Sequence, residues 1–67
     1  MKNHLKEVRT KKQLTQIQLA ELVNVSRQSI ISIETNRYIP SVLLSLKLAQ
    51  VLEMNVEELF ELEKSDH

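Results

Sequence analysis

Apolar positions along the first two-thirds of the chain fall into short helical groups separated by polar breaks. Leu19, Ala20 and Val23 recur at i, i+1 and i+4, which puts them on one face of a helix. Thr15 precedes the group and Gln18 stands three residues after it, the T-x-x-Q pattern of a capping box. Asn24 follows the last apolar residue. Among non-glycine residues asparagine best tolerates left-handed backbone, so it can end the helix. Val25 then turns inward, Ser26 caps a further helix, and Ile30 and Ile33 share its buried face. The small Ala20 suits a close crossing of these two helices, where a longer side chain costs about 1–3 kcal/mol in overpacking. The stretch from Gln16 to Arg37 therefore reads as two short helices joined by a tight turn.

The same reading extends to both ends. A first helix is predicted from Asn3 or His4 to Lys12, with Leu5 and Val8 buried and Arg9 turned partly inward. Asn36 is a second left-handed terminator, Pro40 disfavours helix at Ile39, and Ser41 caps a fourth helix from Val42 to Leu52. In that helix Val42, Leu46, Ala49 and Leu52 form one stripe, but Leu43, Leu44, Leu48 and Val51 are apolar as well. A helix apolar nearly all round is covered on more than one side. Asn55 opens a last short helix with Glu58 at its third position, and Val56, Leu59 and Phe60 form its apolar face. The fold class is all-α, with five helices in one domain over residues 1–63 and a frayed tail at 64–67. A domain of this size buries only about 60% of its unfolded surface, so the surplus apolar residues Leu43, Leu44, Leu59, Phe60 and Leu62 predict contact with a second copy of the chain.

The polar positions supply the chemistry. Arg27, Gln28, Ser29, Ile31 and Ser32 face outward from the second helix of the pair. Arginine can make a paired contact to guanine, glutamine can do the same to adenine, and an aliphatic group can touch a thymine methyl. We assign base reading to Arg27, Gln28, Ile31 and Ser32. Ser26, Ser29, Thr35 and Arg37 lie at the ends of that helix and are assigned to the DNA backbone. Any one of these side chains alone is better explained as solvated surface; their clustering between two caps and a turn asparagine favours DNA.

Net charge is zero, which is unexpected for a DNA binder, but its distribution is uneven. Residues 1–40 carry seven basic side chains against three acidic, a balance of +4. Residues 41–67 carry two against six, a balance of −4. A polyanion is steered to the half that holds the turn. There is no cysteine; His4 and His67 lie at opposite ends, Ser26, Ser29 and Ser32 have no histidine nearby in sequence, and no glycine-rich loop exists. Enzymatic activity, a metal site, a cofactor and a small-molecule ligand are therefore not expected. No apolar run is long enough to span a membrane and no signal peptide is evident, so the cytoplasm is the expected location.

Gln16, Ala20, Val25, Ser26, Ile30, Ile33 and Glu34, followed by Asn36-Arg37-Tyr38 and Pro40-Ser41, resemble the Cro/C1-type (XRE) helix-turn-helix family. The S-R-Q-x-I and I-E-x-N-x-Y-x-P-S patterns are most similar to small stand-alone bacterial regulators of the cytolysin-repressor kind. The resemblance covers residues 4–60. It implies a lambda-repressor-like fold, a phosphate contact by Gln16 at a helix N-terminus, and an inter-helix ion pair between Arg9 and Glu34. It also implies that the extreme termini can pair as short strands, although Met1-Lys2-Asn3 is a poor strand sequence. Ser45 departs from the family, which usually has a larger apolar residue there. Two assignments stay open: Lys11 and Lys12 serve either the helix dipole or phosphate, and Tyr38 either bonds phosphate or packs over Pro40.

The expected function is a transcriptional regulator, acting as a repressor that binds an inverted repeat of double-stranded DNA as a homodimer. The alternative is a protein-interaction module or antitoxin that uses the same fold. A lapsed DNA binder is expected to lose Gln16, Arg27, Gln28 and Arg37, and all four are present.

Overall fold

The starts of four helices in this chain are drawn by polar side chains, and the computed structural model, which describes residues 1–67, places these where a cap is needed. The order is β1 (Lys2–Asn3), α1 (Leu5–Lys11), α2 (Gln16–Val23), α3 (Arg27–Glu34), α4 (Val42–Leu52), α5 (Val56–Leu59), β2 (Phe60–Glu61) and a 3-10 turn (Lys64–Asp66). At the start of α2 Thr15 Oγ1 accepts the Gln18 N–H at 3.0 Å, and Gln18 Oε1 accepts the Thr15 N–H at 2.8 Å. Ser26 Oγ accepts the Ser29 N–H at 3.2 Å and Ser41 Oγ the Leu44 N–H at 3.1 Å. Glu58 accepts the Asn55 N–H at 3.0 Å at the start of α5. Each such cap contributes about 0.5–2 kcal/mol.

Helix ends follow the same logic with two surprises. Asn24 and Asn36 adopt the left-handed backbone expected of them, with φ of 59° and 61°. Gln13 and Glu53 do so too, at 60° and 58°. The chain contains no glycine, so these two ordinary side chains carry a conformation that costs about 1–2 kcal/mol.

Packing centres on the α2–α3 pair, against which α1 and α4 lie, with α5 beneath α4. Leu5, Leu19, Val23, Ile30, Ile33, Leu48, Leu52 and Leu59 are buried completely or nearly so, and Ala20 sits among them. Burying a side chain of this size stabilises by about 1.5–3 kcal/mol.

The predicted stripe of α4 holds for Ala49 and Leu52 and fails for Val42 and Leu46. Its buried stripe is Leu44, Leu48, Ala49 and Leu52, whereas Val42 and Leu46 face solvent with Leu43. The Ser41 cap and the turn at Pro40 set the rotation of the helix; a sequence apolar on nearly every side cannot. Three predicted intermolecular contacts are corrected with it. Leu44, Leu59 and Phe60 are core residues, 7%, 0% and 9% exposed, and have no surface to offer a second chain. Leu43 and Leu62 do remain exposed.

The termini pair. β1 runs antiparallel to β2, with Lys2 opposite Glu61 and Asn3 opposite Phe60, and the His4 N–H donates to Leu59 O at 2.8 Å. Residues 64–67, the expected frayed tail, begin with the 3-10 turn, where Asp66 accepts the Glu63 N–H at 2.8 Å. The Met1 amine lies 3.2 Å from Glu63 and 3.0 Å from Asp66, so charge holds together what hydrophobic strand propensity does not.

This clasp is acid-sensitive. A hydrogen bond from His4 at 2.6 Å, and then the charge of His4, hold the Glu61 carboxyl below its usual value of 4.5. A carboxyl with a depressed folded pKa stabilises above its unfolded pKa, and this is lost as pH falls through the folded one. Thermal melts of Glu61→Gln and the native protein are therefore expected to differ at pH 6 and to converge as pH drops below 4.5. A constant difference across that range contradicts the assignment.

Candidate nucleic-acid interface

α3 is anchored at its start, along one face and near its end, and the residues left free form the candidate interface. Its N-terminus is fixed by Ser26. Ile30 and Ile33, 0% and 1% exposed, seat it in the core. Near its C-terminus Arg9 Nε donates to Glu34 Oε2 at 2.6 Å and a terminal guanidinium nitrogen to Oε1 at 3.3 Å. The two side chains are only 9% and 3% exposed. The third guanidinium nitrogen donates to Leu14 O at 2.8 Å. This is the ion pair that the resemblance implies.

The pair continues outward to the surface. Gln16 Nε2 donates to Glu34 Oε1 at 3.1 Å, and Arg27 Nε donates to Gln16 Oε1 at 3.4 Å. No buried side-chain nitrogen or oxygen is left without a partner. The geometry has two chemical consequences. Gln16 uses one amide hydrogen and its oxygen internally, which leaves a second amide hydrogen for an anion. Arg27 spends only Nε, so its two terminal nitrogens stay available as the fork that matches guanine O6 and N7. Arg9, Thr15, Gln16, Ile17 and Arg27 line an open groove of about 460 Å³ at this point.

The other assigned residues share the exposed side of α3. Arg27 and Gln28 are exposed, while Ser29, Ile31 and Ser32 are half-buried. Gln28 Nε2 lies 3.4 Å from Ser32 Oγ, and Ser26 Oγ 3.1 Å from Ser29 Oγ. Only one hydroxyl hydrogen is used between those two serines, so one is free for a phosphate. Thr35 is placed differently. Its hydroxyl donates back to Ile31 O at 2.8 Å, and its single hydrogen is committed to the helix. Arg37 is exposed just past α3. Tyr38, 46% exposed, joins Ser26, Gln28, Ser29 and Ser32 around a second open groove. Lys11 is 3.4 Å from Glu7 and Lys12 3.6 Å from Glu53, exposed pairs worth little.

Two residues here were missed by sequence reasoning. Ile17 is 52% exposed beside Arg27 and Gln16; its place outside the Leu19, Ala20 and Val23 stripe was a usable signal. Asn3 touches the C-terminal end of α3 from a distant part of the chain, and no local pattern announces it. No three His, Asp or Glu side chains are grouped as metal ligands. No helix is long and apolar enough to cross a membrane.

Comparison with known proteins places this geometry. The helix-turn-helix family model matches residues 5–59. The helix-turn-helix-type transcriptional regulator YgzD of Bacillus subtilis is 41% identical over 66 residues, spanning 98% of this chain and all of the relative. A helix-turn-helix-type regulator of Methanocaldococcus jannaschii is 45% identical over 60 residues, covering 90% of this chain and 91% of its own. Among solved structures, the restriction-modification controller protein C.AhdI of Aeromonas hydrophila superposes with a TM-score of 0.79 at 37% identity, covering 85% and 86% of the two chains. A chain of the SinR–SinI protein complex superposes at 0.80 with 28% identity, over 92% of this chain and 66% of the other.

Proposed function

We propose that this chain, which belongs to the Cro/C1-type helix-turn-helix family of DNA-binding transcriptional regulators and is not an enzyme, is a repressor that occupies an inverted-repeat operator as a homodimer. The observation that carries the proposal is the exposed face of α3. Arg27, Gln28, Ile31 and Ser32 point away from a helix that caps, core and a buried ion pair hold in place. These four read base edges in the major groove, where the first turns of a recognition helix lie. Gln16, Ser26, Ser29 and Arg37 bond phosphates on either side, with Thr35 a lesser contributor because its hydroxyl is engaged. Occupancy of the operator blocks polymerase.

A single helix spans only a few base pairs. Two copies related by a two-fold axis place their recognition helices about 34 Å apart, one turn of B-DNA. Leu43 and Leu62 keep the role assigned to them, and the exposed side of α4 supplies more surface. Val42, Leu43 and Leu46 are 77%, 64% and 55% exposed and share a face, with Ile39 at 71% just before the helix. Sedimentation of Leu43→Lys combined with Leu46→Lys is expected to show a monomer at micromolar concentration where the native chain is a dimer. The helical circular dichroism spectrum is expected to be unchanged, because neither side chain belongs to the core of the single chain, while the melting temperature falls by the stability the dimer contributes. A native chain that sediments as a monomer with and without duplex DNA contradicts the homodimer. One of the solved structures similar to this chain is a complex of two different proteins, SinR and SinI. A different protein on the α4 face is therefore the second reading, and the same experiment supports it if the native chain is monomeric.

The proposal as a whole is tested by gel-shift titration against promoter fragments from the gene's own neighbourhood. Protection of a two-fold symmetric site that overlaps a promoter supports repression; binding that leaves transcription in a purified system unchanged opposes it.

A further inference from the structure

We infer that Asn3 is a positioning residue for DNA binding, and that it acts by fixing the backbone from which Arg37 projects. Asn3 belongs to β1, far in sequence from the recognition helix, yet its side-chain amide donates to Ile33 O at 3.0 Å and to Asn36 Oδ1 at 2.8 Å. Ile33 O is one of the carbonyls at the end of α3 that have no partner within the helix. It also accepts the Asn36 N–H at 3.0 Å, so Asn3 completes the cap. Asn36 is the left-handed residue at which the chain leaves α3, with φ of 61°. Arg37 follows it directly, and its N–H returns to Ser32 O at 2.8 Å. Holding both the carbonyl and the side chain of that pivot restricts the direction in which Arg37 leaves the helix.

Asn3 is itself well held. It stands opposite Phe60 in the terminal strand pair, and its Oδ1 accepts the Leu5 N–H at 3.3 Å. One amide thus joins the strand pair, the start of α1 and the end of α3. The Arg27–Gln16–Glu34–Arg9 chain braces one side of the recognition helix, and Asn3 ties its C-terminal end. This inference rests on the proposed contact of Arg37 with the DNA backbone.

The test is a double-mutant cycle on affinity for a mixed-sequence DNA duplex of about 30 base pairs, long enough to carry every phosphate contact, read as a function of salt. Each phosphate contact contributes about one unit to the slope of log affinity against log salt. Arg37→Ala is expected to lower that slope by about one. Asn3→Ala is expected to lower it by a similar fraction of a unit to one unit, and to have almost no further effect once Arg37 is alanine. A role in stability alone moves the melting temperature and leaves the slope unchanged. Asn36→Gly keeps the left-handed backbone and removes only the side-chain acceptor; it is expected to lower the slope in the same Arg37-dependent way, and it carries the test if Asn3→Ala fails to fold. Equal losses in both Arg37 backgrounds, or an unchanged slope in Asn36→Gly, overturn the inference while leaving the reading of Arg37 intact. An unchanged slope in Arg37→Ala overturns both.

Discussion

Glu34→Ala is expected to destabilise the protein by about 3–5 kcal/mol, the cost of leaving a buried charge without its partner. Its carboxylate is 3% exposed and satisfies Arg9 twice and Gln16 once. Removing it strands the guanidinium of Arg9, itself 9% exposed, with only the Leu14 carbonyl as an acceptor. Domains of this kind have about 5–15 kcal/mol of stability in total, so the variant is expected to be partly unfolded at 37 °C. Urea denaturation followed by circular dichroism measures the loss. Arg9→Met together with Glu34→Leu is expected to recover much of it, since a well-packed apolar pair of similar volume often equals or exceeds a buried ion pair. A loss below about 1 kcal/mol in the single variant matches an exposed pair and contradicts the structural role given to this one.

Arg27→Ala is expected to weaken binding to the preferred operator by about 1–3 kcal/mol, roughly 5- to 150-fold, and to relax base preference at one position in each half-site. Two terminal guanidinium nitrogens are free to form the paired contact, because only Nε is occupied, by Gln16. Arg27→Lys is expected to restore little. A lysine offers one compact charge and no planar fork. Fluorescence anisotropy on the operator and on single-base variants measures both effects. An equal loss on every duplex, with base preference unchanged, makes Arg27 a phosphate contact instead.

Capping residues make most of the fold legible. Thr15, Ser26 and Ser41 each mark a helix start to the residue, and Asn24 and Asn36 each mark an end, because those side chains do chemically distinct work at those positions. The Arg9–Glu34 pair follows from resemblance to a family and not from spacing, and the geometry agrees with it. Legibility fails in three places for different physical reasons. α4 is apolar around almost its whole circumference, so periodicity cannot phase it, and Leu44, expected outside, is core. Leu59 and Phe60 look surplus in a chain this short; the fold covers them with β1 and its neighbours. The β1–β2 pair joins opposite ends of the chain and the Asn3 tether joins the N-terminus to its middle, and local pattern carries no record of contacts so distant in sequence. Gln13 and Glu53 belong with these, since neither residue type signals left-handed backbone.

Base reading by α3 is decided by selecting bound sequences from random duplex DNA at about 0.1 M salt, where non-specific phosphate binding is weakened, with Arg27→Ala and Gln28→Ala run beside the native protein. An enriched inverted repeat is expected for the native protein, with each variant losing preference at its own position in both half-sites. No enriched sequence, or the same sequence enriched equally by all three proteins, contradicts the assignment of α3 as the base-reading helix.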